Sequence, residues 1–199
     1  MRNEDDLILW QSFKRGEWDA YTRLYDLYFS ALNNYGYKFT RERELIEDAV
    51  HDLFVRLWTT KERLSDPVSV KNYLFKSLRN ILLRKMKNEE KFTDIDGQEY
   101  PISFSISYDS ETVKRMEDRE LQEKIKGFID TLPPRQQEII YLRFYEGLSY
   151  EEIADVMSIS VKSAYKLLYK ALENLQDTFG TSSLGVLLGL KIFSNFFPA

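Results

Sequence analysis

The sequence predicts an all-α protein made of two helical domains joined by a flexible acidic linker. Apolar residues recur at helical spacing along most of the chain. Residues 88–112 lose that periodicity and contain the breakers Gly97 and Pro101. We therefore expect one helical domain over residues 1–90, a linker over 91–112, a second helical domain over 113–179 and an apolar tail over 180–199.

Four helices are predicted in the first domain, over residues 4–14, 17–37, 41–59 and 70–86. Each carries an apolar stripe at helical spacing, which marks its inner face. Pro67 blocks helix continuation before the fourth helix, and Ser69 is placed to cap its start. The predicted inner residues are Leu7, Ile8 and Phe13; then Tyr21, Leu24, Leu27, Tyr28 and Leu32; then Leu45, Ala49, Leu53 and Leu57; and finally Leu74, Leu78, Ile81 and Leu82.

The linker is polar and acidic, although Phe104 and Ile106 could pair as a short strand. A helical pattern resumes near Thr112. Pro133 and Pro134 open a further helix, and Gly147 suits its C-terminal cap. The tail is too short to cross a bilayer and lacks a basic face, so we expect it to dock on the second domain or on a partner rather than on a membrane.

The segment LSYEEIADVMSISVKSAYKLLYKALENL, residues 148–175, has the pattern of a helix-turn-helix. Ser149 and Ser160 can each cap a helix, and Glu152 lies at capping-box spacing from Ser149. In the second helix an apolar stripe leaves a polar face, which predicts entry into the DNA major groove. An ordinary helical hairpin with a solvated lysine face is the alternative. The candidate DNA-binding residues here are Ser160, Lys162, Ser163, Tyr165, Lys166, Tyr169 and Lys170.

The fourth helix of the first domain carries a second basic face. Lys76, Asn80 and Arg84 fall on one line at intervals of four residues. Basic and aromatic residues interleaved in this way favour single-stranded or locally opened DNA. A solvated helix face with the aromatic residues in the core is the alternative. The candidates are Lys71, Asn72, Tyr73, Lys76, Arg79, Asn80 and Arg84.

The third helix presents acidic residues opposite its apolar stripe. We call this set the acidic face: Glu44, Glu47, Asp48, His51 and Asp52. It is a solvated helix face by default, and a docking face for a protein partner is the sharper interpretation. A metal site at Glu47, Asp48, His51 and Asp52 is conceivable, but no second helix supplies a matching ligand set.

Composition excludes several kinds of chemistry. The chain has 199 residues, no cysteine and one histidine, which leaves no disulfide, zinc–thiolate site or thiol catalysis. No P-loop, GxSxG motif or paired catalytic carboxylates are present, so we expect neither an enzyme nor a bound cofactor. No signal peptide opens the sequence and no apolar run is long enough to span a membrane, so we expect a cytoplasmic protein.

Charge is distributed unevenly along the chain. The net charge is −4, whereas a protein that bound DNA by bulk attraction would be basic overall. Residues 61–91 carry nine basic and four acidic side chains, and residues 92–123 carry three and nine. A basic block is therefore followed at once by an acidic one, which indicates local DNA contacts on a chain that otherwise repels DNA.

Three stretches together resemble the extracytoplasmic-function (ECF) group of RNA polymerase sigma factors, which belong to the sigma-70 family. ELIEDAVHDLFVRLW resembles the helix that binds core polymerase, and VKNYLFKSLRNILLRKMK resembles the helix that melts and reads the −10 promoter element. The stretch from LPPRQQEIIYLRFYEG to KALENL resembles region 4, which reads the −35 element. The order and spacing of the three stretches, and the acidic linker, agree with that family.

The resemblance implies partners and residue roles. The acidic face would bind the clamp helices of the largest polymerase subunit. Residues 60–69 and the next helix would capture a flipped non-template base of the −10 element, with Asn80 as the leading contact. Residues of the helix-turn-helix would read the −35 element, with Arg135, Arg143 and Lys170 at or near phosphates. The linker, with Asp94, Asp96 and Glu99, would thread toward the RNA exit path, and an anti-sigma factor would sequester the domains.

Two features depart from that pattern. Ser158 occupies a turn position at which many helix-turn-helices have glycine, so this turn must tolerate a side chain. The recognition helix has lysines and tyrosines but no arginine, which excludes bidentate guanine reading by arginine there. A dimeric helix-turn-helix regulator is the chief alternative function; it would need a dimerisation surface and a signal-receiving domain that the first ninety residues do not suggest.

Overall fold

Helices form nearly all of the structure of this protein, as predicted. The computed structural model describes residues 2–87, 92–95, 98–101, 127 and 129–179. The chain divides into two compact units. Among the described residues, those up to Pro101 form the first lobe, and those from Gly127 largely form the second. The predictions for Phe104, Ile106, the pattern from Thr112 and the apolar tail lie outside the described residues.

The first lobe contains four α-helices and a short 3₁₀ turn. They are α1 (Arg2–Lys14), α2 (Trp18–Phe39), α3 (Arg43–Thr60), the turn Lys61–Arg63 and α4 (Val70–Lys87). The predicted stripe of α3 is fully buried, as are Leu74, Leu78 and Leu82 of α4. Ser69 caps α4 as predicted, because its Oγ accepts a hydrogen bond of 3.2 Å from the backbone N–H of Asn72.

The prediction of a core position is wrong for two residues. Ile8 is 67% exposed and Leu27 is 47% exposed. In α1 the buried line runs through Asp6, Trp10 and Phe13. The helical spacing of that line puts Ile8 on the opposite side. Asp6 can be buried because its Oδ2 accepts a 2.5 Å hydrogen bond from the hydroxyl of the buried Tyr28.

A short hairpin follows α4, inside the segment predicted to be a linker. Strands β1 (Phe92–Ile95) and β2 (Gln98–Pro101) pair antiparallel, with Ile95 opposite Gln98. The two residues between them, Asp96 and Gly97, are a sequence signal for a hairpin, which helical periodicity does not reveal. The flexibility of the linker stays a prediction.

Three helical segments lie within residues 134–179 of the second lobe. They are α5 (Pro134–Ile140), continued by a π-helical turn at Tyr141–Tyr145, then α6 (Tyr150–Val156) and α7 (Val161–Phe179). Gly147 has a φ of +69°, which confirms its predicted place just past a helix end. Within the described residues, no helix is both long enough and apolar enough to cross a membrane.

Candidate functional site

The acidic face lies on α3 and is exposed at all five positions. Two of its carboxylates are paired at the edges of the face. Glu47 Oε1 accepts a 2.6 Å hydrogen bond from Arg43 Nε, and Asp52 Oδ2 lies 2.8 Å from Lys85 Nζ of α4. Exposed pairs of this kind contribute at most about 1 kcal/mol, so they leave the carboxylates open to exchange partners. Around the helix axis, Glu44, Asp48 and His51 lie between these two carboxylates.

The metal alternative at this face has no support in the structure. Among the residues described, no group of three or more histidine or carboxylate side chains could hold a metal ion. The exposed carboxylates of this face present negative charge.

The basic line of α4 is partly exposed. Asn80 and Arg84 are exposed, and Lys76 is half-buried. The prediction that Arg79 faces DNA is wrong, because Arg79 is only 6% exposed. Its position lies on the line Phe75, Arg79, Leu82, Met86, which is the buried side of the helix. We therefore remove Arg79 from the DNA-facing set.

The start of α4 serves the fold as well as the predicted site. The backbone N–H of Asn72 is used by the Ser69 cap. The ring of Tyr73 packs edge-on against buried Trp10, with centroids 5.3 Å apart. Lys71 places its Nζ 5.5 Å from the Phe75 ring centroid. All three are half-buried, so only part of each side chain can reach a ligand.

A polar groove of about 240 Å³ lies between α3 and α4 within the first lobe. Leu53, Leu57 and Ile81 contribute apolar groups to its lining. Hydroxyl, amide and guanidinium groups line it from both helices: Arg56, Thr60, Tyr73, Ser77, Asn80 and Arg84. Periodicity along one helix could not reveal this groove, because Arg56 and Thr60 come from a different helix from Asn80.

The helix-turn-helix is confirmed in its local chemistry. The backbone N–H of Ser149 donates to Glu152 Oε2 at 2.8 Å, and the N–H of Glu152 donates to Ser149 Oγ at 3.2 Å, which is a reciprocal capping box. Ser160 Oγ accepts a 3.1 Å bond from the N–H of Ser163 at the start of α7. Ser158 adopts a φ of +55°, so the turn does accommodate a side chain there.

We call the exposed residues of α7 the recognition face: Lys162, Ser163, Tyr165, Lys166, Tyr169 and Lys170. Buried Ala164, Leu168 and Ala171 form the opposite side. Ser160 is exposed too, but its hydroxyl is occupied by the cap and lies 2.8 Å from the hydroxyl of Ser163. Arg135 is half-buried at the start of α5.

Arg143, predicted to lie at or near a phosphate, makes two contacts within the protein. Its Nη1 donates a 2.8 Å hydrogen bond to the carbonyl oxygen of Leu148. Its guanidinium carbon lies 4.9 Å from the ring centroid of Tyr150. Tyr150 in turn stacks on Tyr165 of the recognition face, with centroids 3.7 Å apart and the planes inclined by 21°. Tyr150 was not among the predicted site residues.

Two family models match the lobes in order. A model of sigma-70 region 2 matches residues 24–92, and a model of sigma-70 region 4 matches residues 122–175. The chain belongs to the sigma-70 family. A sigma factor binds core RNA polymerase and promoter DNA and directs transcription initiation, so the dimeric regulator is not favoured.

Relatives place this sigma factor in the ECF group. The ECF RNA polymerase sigma factor SigM of Bacillus subtilis (strain 168) is 23% identical over 156 residues, which is 78% of this chain and 93% of SigM. CnrH, solved with the cytosolic domain of CnrY, shares the fold with a TM-score of 0.58 and 21% identity, covering 89% of this chain and 99% of that one.

A second solved structure shows the same fold. It is the sigma factor RpoE in complex with the anti-sigma factor NepR from Bartonella quintana, with a TM-score of 0.56 and 20% identity. The match covers 81% of this chain and 97% of that one.

Proposed function

We propose a division of labour among three surfaces of this ECF sigma factor. The acidic face binds the clamp helices of core polymerase, the α3–α4 groove and its rim capture the −10 element, and the recognition face reads the −35 element. The observation that carries the proposal is the separation of charge: negative side chains are exposed on α3, and exposed lysines line α7.

The groove supports capture of an unstacked base. The Asn80 amide in its lining can bond the edge of such a base. Arg56 and Arg84 at the same groove can neutralise flanking phosphates. Residues 60–69 border this region in the chain, and we assign them with α4 to the non-template strand. Lys71, Asn72, Tyr73 and Lys76 extend this contact.

The recognition face supports duplex reading. Lys162 and Lys166 are four residues apart on an exposed face, a spacing that suits contacts to neighbouring base pairs or phosphates of the major groove. Without arginine, we expect lysine and tyrosine to contact acceptor atoms and thymine methyl groups. We assign Lys170 and Arg135 to phosphates, and Ser160 to the cap that positions the helix.

The remaining assignments concern partners and location. We propose that the chain has no catalytic activity of its own and works in the cytoplasm. We place region 2 in residues 1–90, the linker in 91–112 and region 4 in 113–179. Because CnrH and RpoE were solved with CnrY and with an anti-sigma factor respectively, we expect an anti-sigma partner here also. Asp94, Asp96 and Glu99 would follow the RNA exit path.

Reconstituted transcription tests this proposal. Purified chain is added to core polymerase lacking sigma, and transcript starts are sequenced. We expect defined starts that share −35 and −10 elements. If the chain starts no transcripts and sediments as a two-fold dimer, the regulator alternative replaces the proposal.

The acidic face is tested by the double variant Glu47→Ala/Asp48→Ala. We expect core affinity to fall about tenfold or more, because charged contacts at an interface centre cost over 1 kcal/mol when truncated. Asp19→Ala/Asp26→Ala is the matched control, since it removes the same charge from exposed positions outside the face. A large drop in melting temperature in the first variant would show that the pair is structural.

A further inference from the structure

We propose that Tyr150 is a positioning residue for −35 recognition, which holds the ring of Tyr165 in the pose from which it meets DNA. This inference rests on the proposed function of the recognition face. It adds to that face a residue that lies outside α7, at the first position of α6.

The contact between the two rings carries the inference. Their centroids are 3.7 Å apart and their planes differ by 21°, so the rings lie face to face. One face of Tyr165 is therefore covered by protein, yet the residue is still 51% exposed. Its second face and its hydroxyl edge are what remain for a ligand.

Tyr150 is itself held in place. The guanidinium carbon of Arg143 lies 4.9 Å from its ring centroid, a cation–π arrangement. Arg143 cannot move freely, because its Nη1 is tied to the carbonyl oxygen of Leu148 at 2.8 Å. The cluster thus runs from the π-helical turn through α6 to α7. It restricts the rotation of Tyr165, which on an open helix face would sample several rotamers.

This restriction has a consequence for base reading. A tyrosine with one covered face cannot insert between bases, but it can offer its hydroxyl and its ring edge to a groove. In the major groove these groups meet base acceptors and the thymine methyl. Because arginine is absent from α7, discrimination at the base pair beside Tyr165 depends on how this ring is posed.

A selection experiment tests the inference. Holoenzyme assembled from the full chain and core polymerase is selected on promoter duplexes randomised across the −35 element, and bound sequences are counted. We expect Tyr165→Ala to reduce the preference at one base pair about threefold to tenfold. Tyr150→Ala and Tyr150→Leu should reduce it at the same base pair, and Tyr150→Phe, which keeps the stack, should not.

Tyr37→Ala is the matched control. Tyr37 is an exposed tyrosine of α2, outside the recognition face, so its loss should leave the preference at the Tyr165 base pair unchanged. Tyr150→Leu keeps an apolar side chain against the fold, so it remains informative if Tyr150→Ala does not fold.

Three results would overturn the inference. One is a Tyr150 variant that weakens binding to every sequence equally, as a merely structural residue would. The others are unchanged preference in Tyr150→Leu, or unchanged preference in Tyr165→Ala. Lys162→Ala and Lys166→Ala distinguish failure of this inference from failure of the proposed function. If these variants also leave every base preference unchanged, the recognition face itself is wrongly assigned.

Discussion

The helices that carry the two DNA-facing sets are held in different ways. α4 is wedged into the first lobe by large buried side chains, among them Phe75, Leu78 and Leu82. The recognition part of α7 is seated mainly by Ala164, Leu168 and Ala171, two of which have almost no side chain to bury. Its start depends on the Ser160 cap and its outer face on the contact with Tyr150.

This difference matches the two tasks. A groove that accepts an unstacked base needs walls that stay in place, and close packing of α3 against α4 supplies them. A helix that enters a duplex groove must stand out from its lobe, so it can bury little of itself. The first site is therefore set by core packing and the second by caps and surface stacking.

The strongest test of the contrast is Leu78→Ala. It should lower the free energy of unfolding of the first lobe by about 2–5 kcal/mol, because Leu78 is fully buried and its truncation leaves a cavity in the core of that lobe. Urea titration followed by tryptophan fluorescence reports this lobe, since Trp10, Trp18 and Trp58 all lie in it. Ile81→Ala, at a half-buried position of the same helix, should cost clearly less. Equal losses would mean that α4 is not wedged as described.

At the second site the largest effect should be on binding rather than on folding. Lys166→Ala should weaken promoter binding by about 1–3 kcal/mol if the lysine reads a base, and leave the melting temperature unchanged because the side chain is exposed. Competition binding of holoenzyme at fixed salt measures the first quantity. Wild-type affinity would remove Lys166 from the contacts.

Alkaline pH should destabilise the second lobe through Tyr141. Burial, and then the neighbouring Glu146, raise the pKa of Tyr141 well above its usual value of 10.0. Its hydroxyl donates a 2.7 Å bond to Glu146 Oε1, which requires the neutral phenol. Since the folded pKa is the higher one, this stabilisation is complete below pH 10 and is lost as pH rises toward the folded pKa, by about 1.4 kcal/mol per unit.

The measurement is circular dichroism of the full chain across that range. We expect part of the helical signal to be lost above pH 10, as ionisation of Tyr141 removes its contribution to the stability of the second lobe. Tyr141→Phe should make the second lobe less sensitive to pH. An unchanged alkaline profile in this variant would contradict the assignment.

Features encoded in a few neighbouring residues were predictable. The capping box of Ser149 and Glu152, the Ser160 cap and the αL position of Gly147 each depend on a short local pattern, and all were confirmed. Arg79 was wrong because charge was taken to imply exposure, whereas its helix position faces the core. The groove and the Tyr150–Tyr165 stack join residues on different helices, and no spacing within one helix encodes such a contact.

The smallest effect should come from the turn between α6 and α7. Gly147 and Ser158 both have positive φ, +69° and +55° respectively, but only the first is glycine. A residue with a side chain is strained at positive φ. Ser158→Gly should therefore stabilise the second lobe by up to about 1 kcal/mol. The gain is limited because glycine also raises the entropy of the unfolded chain. Gly147→Ala should shift stability the other way.

Thermal unfolding followed by circular dichroism measures both variants, because the second lobe has no tryptophan. A loss of stability in Ser158→Gly would mean that the serine side chain stabilises the turn by more than its backbone strain costs. The turn would then resemble the Ser160 cap, in which a hydroxyl sets the backbone. It would differ from Gly147, where the absence of a side chain is what allows the positive φ.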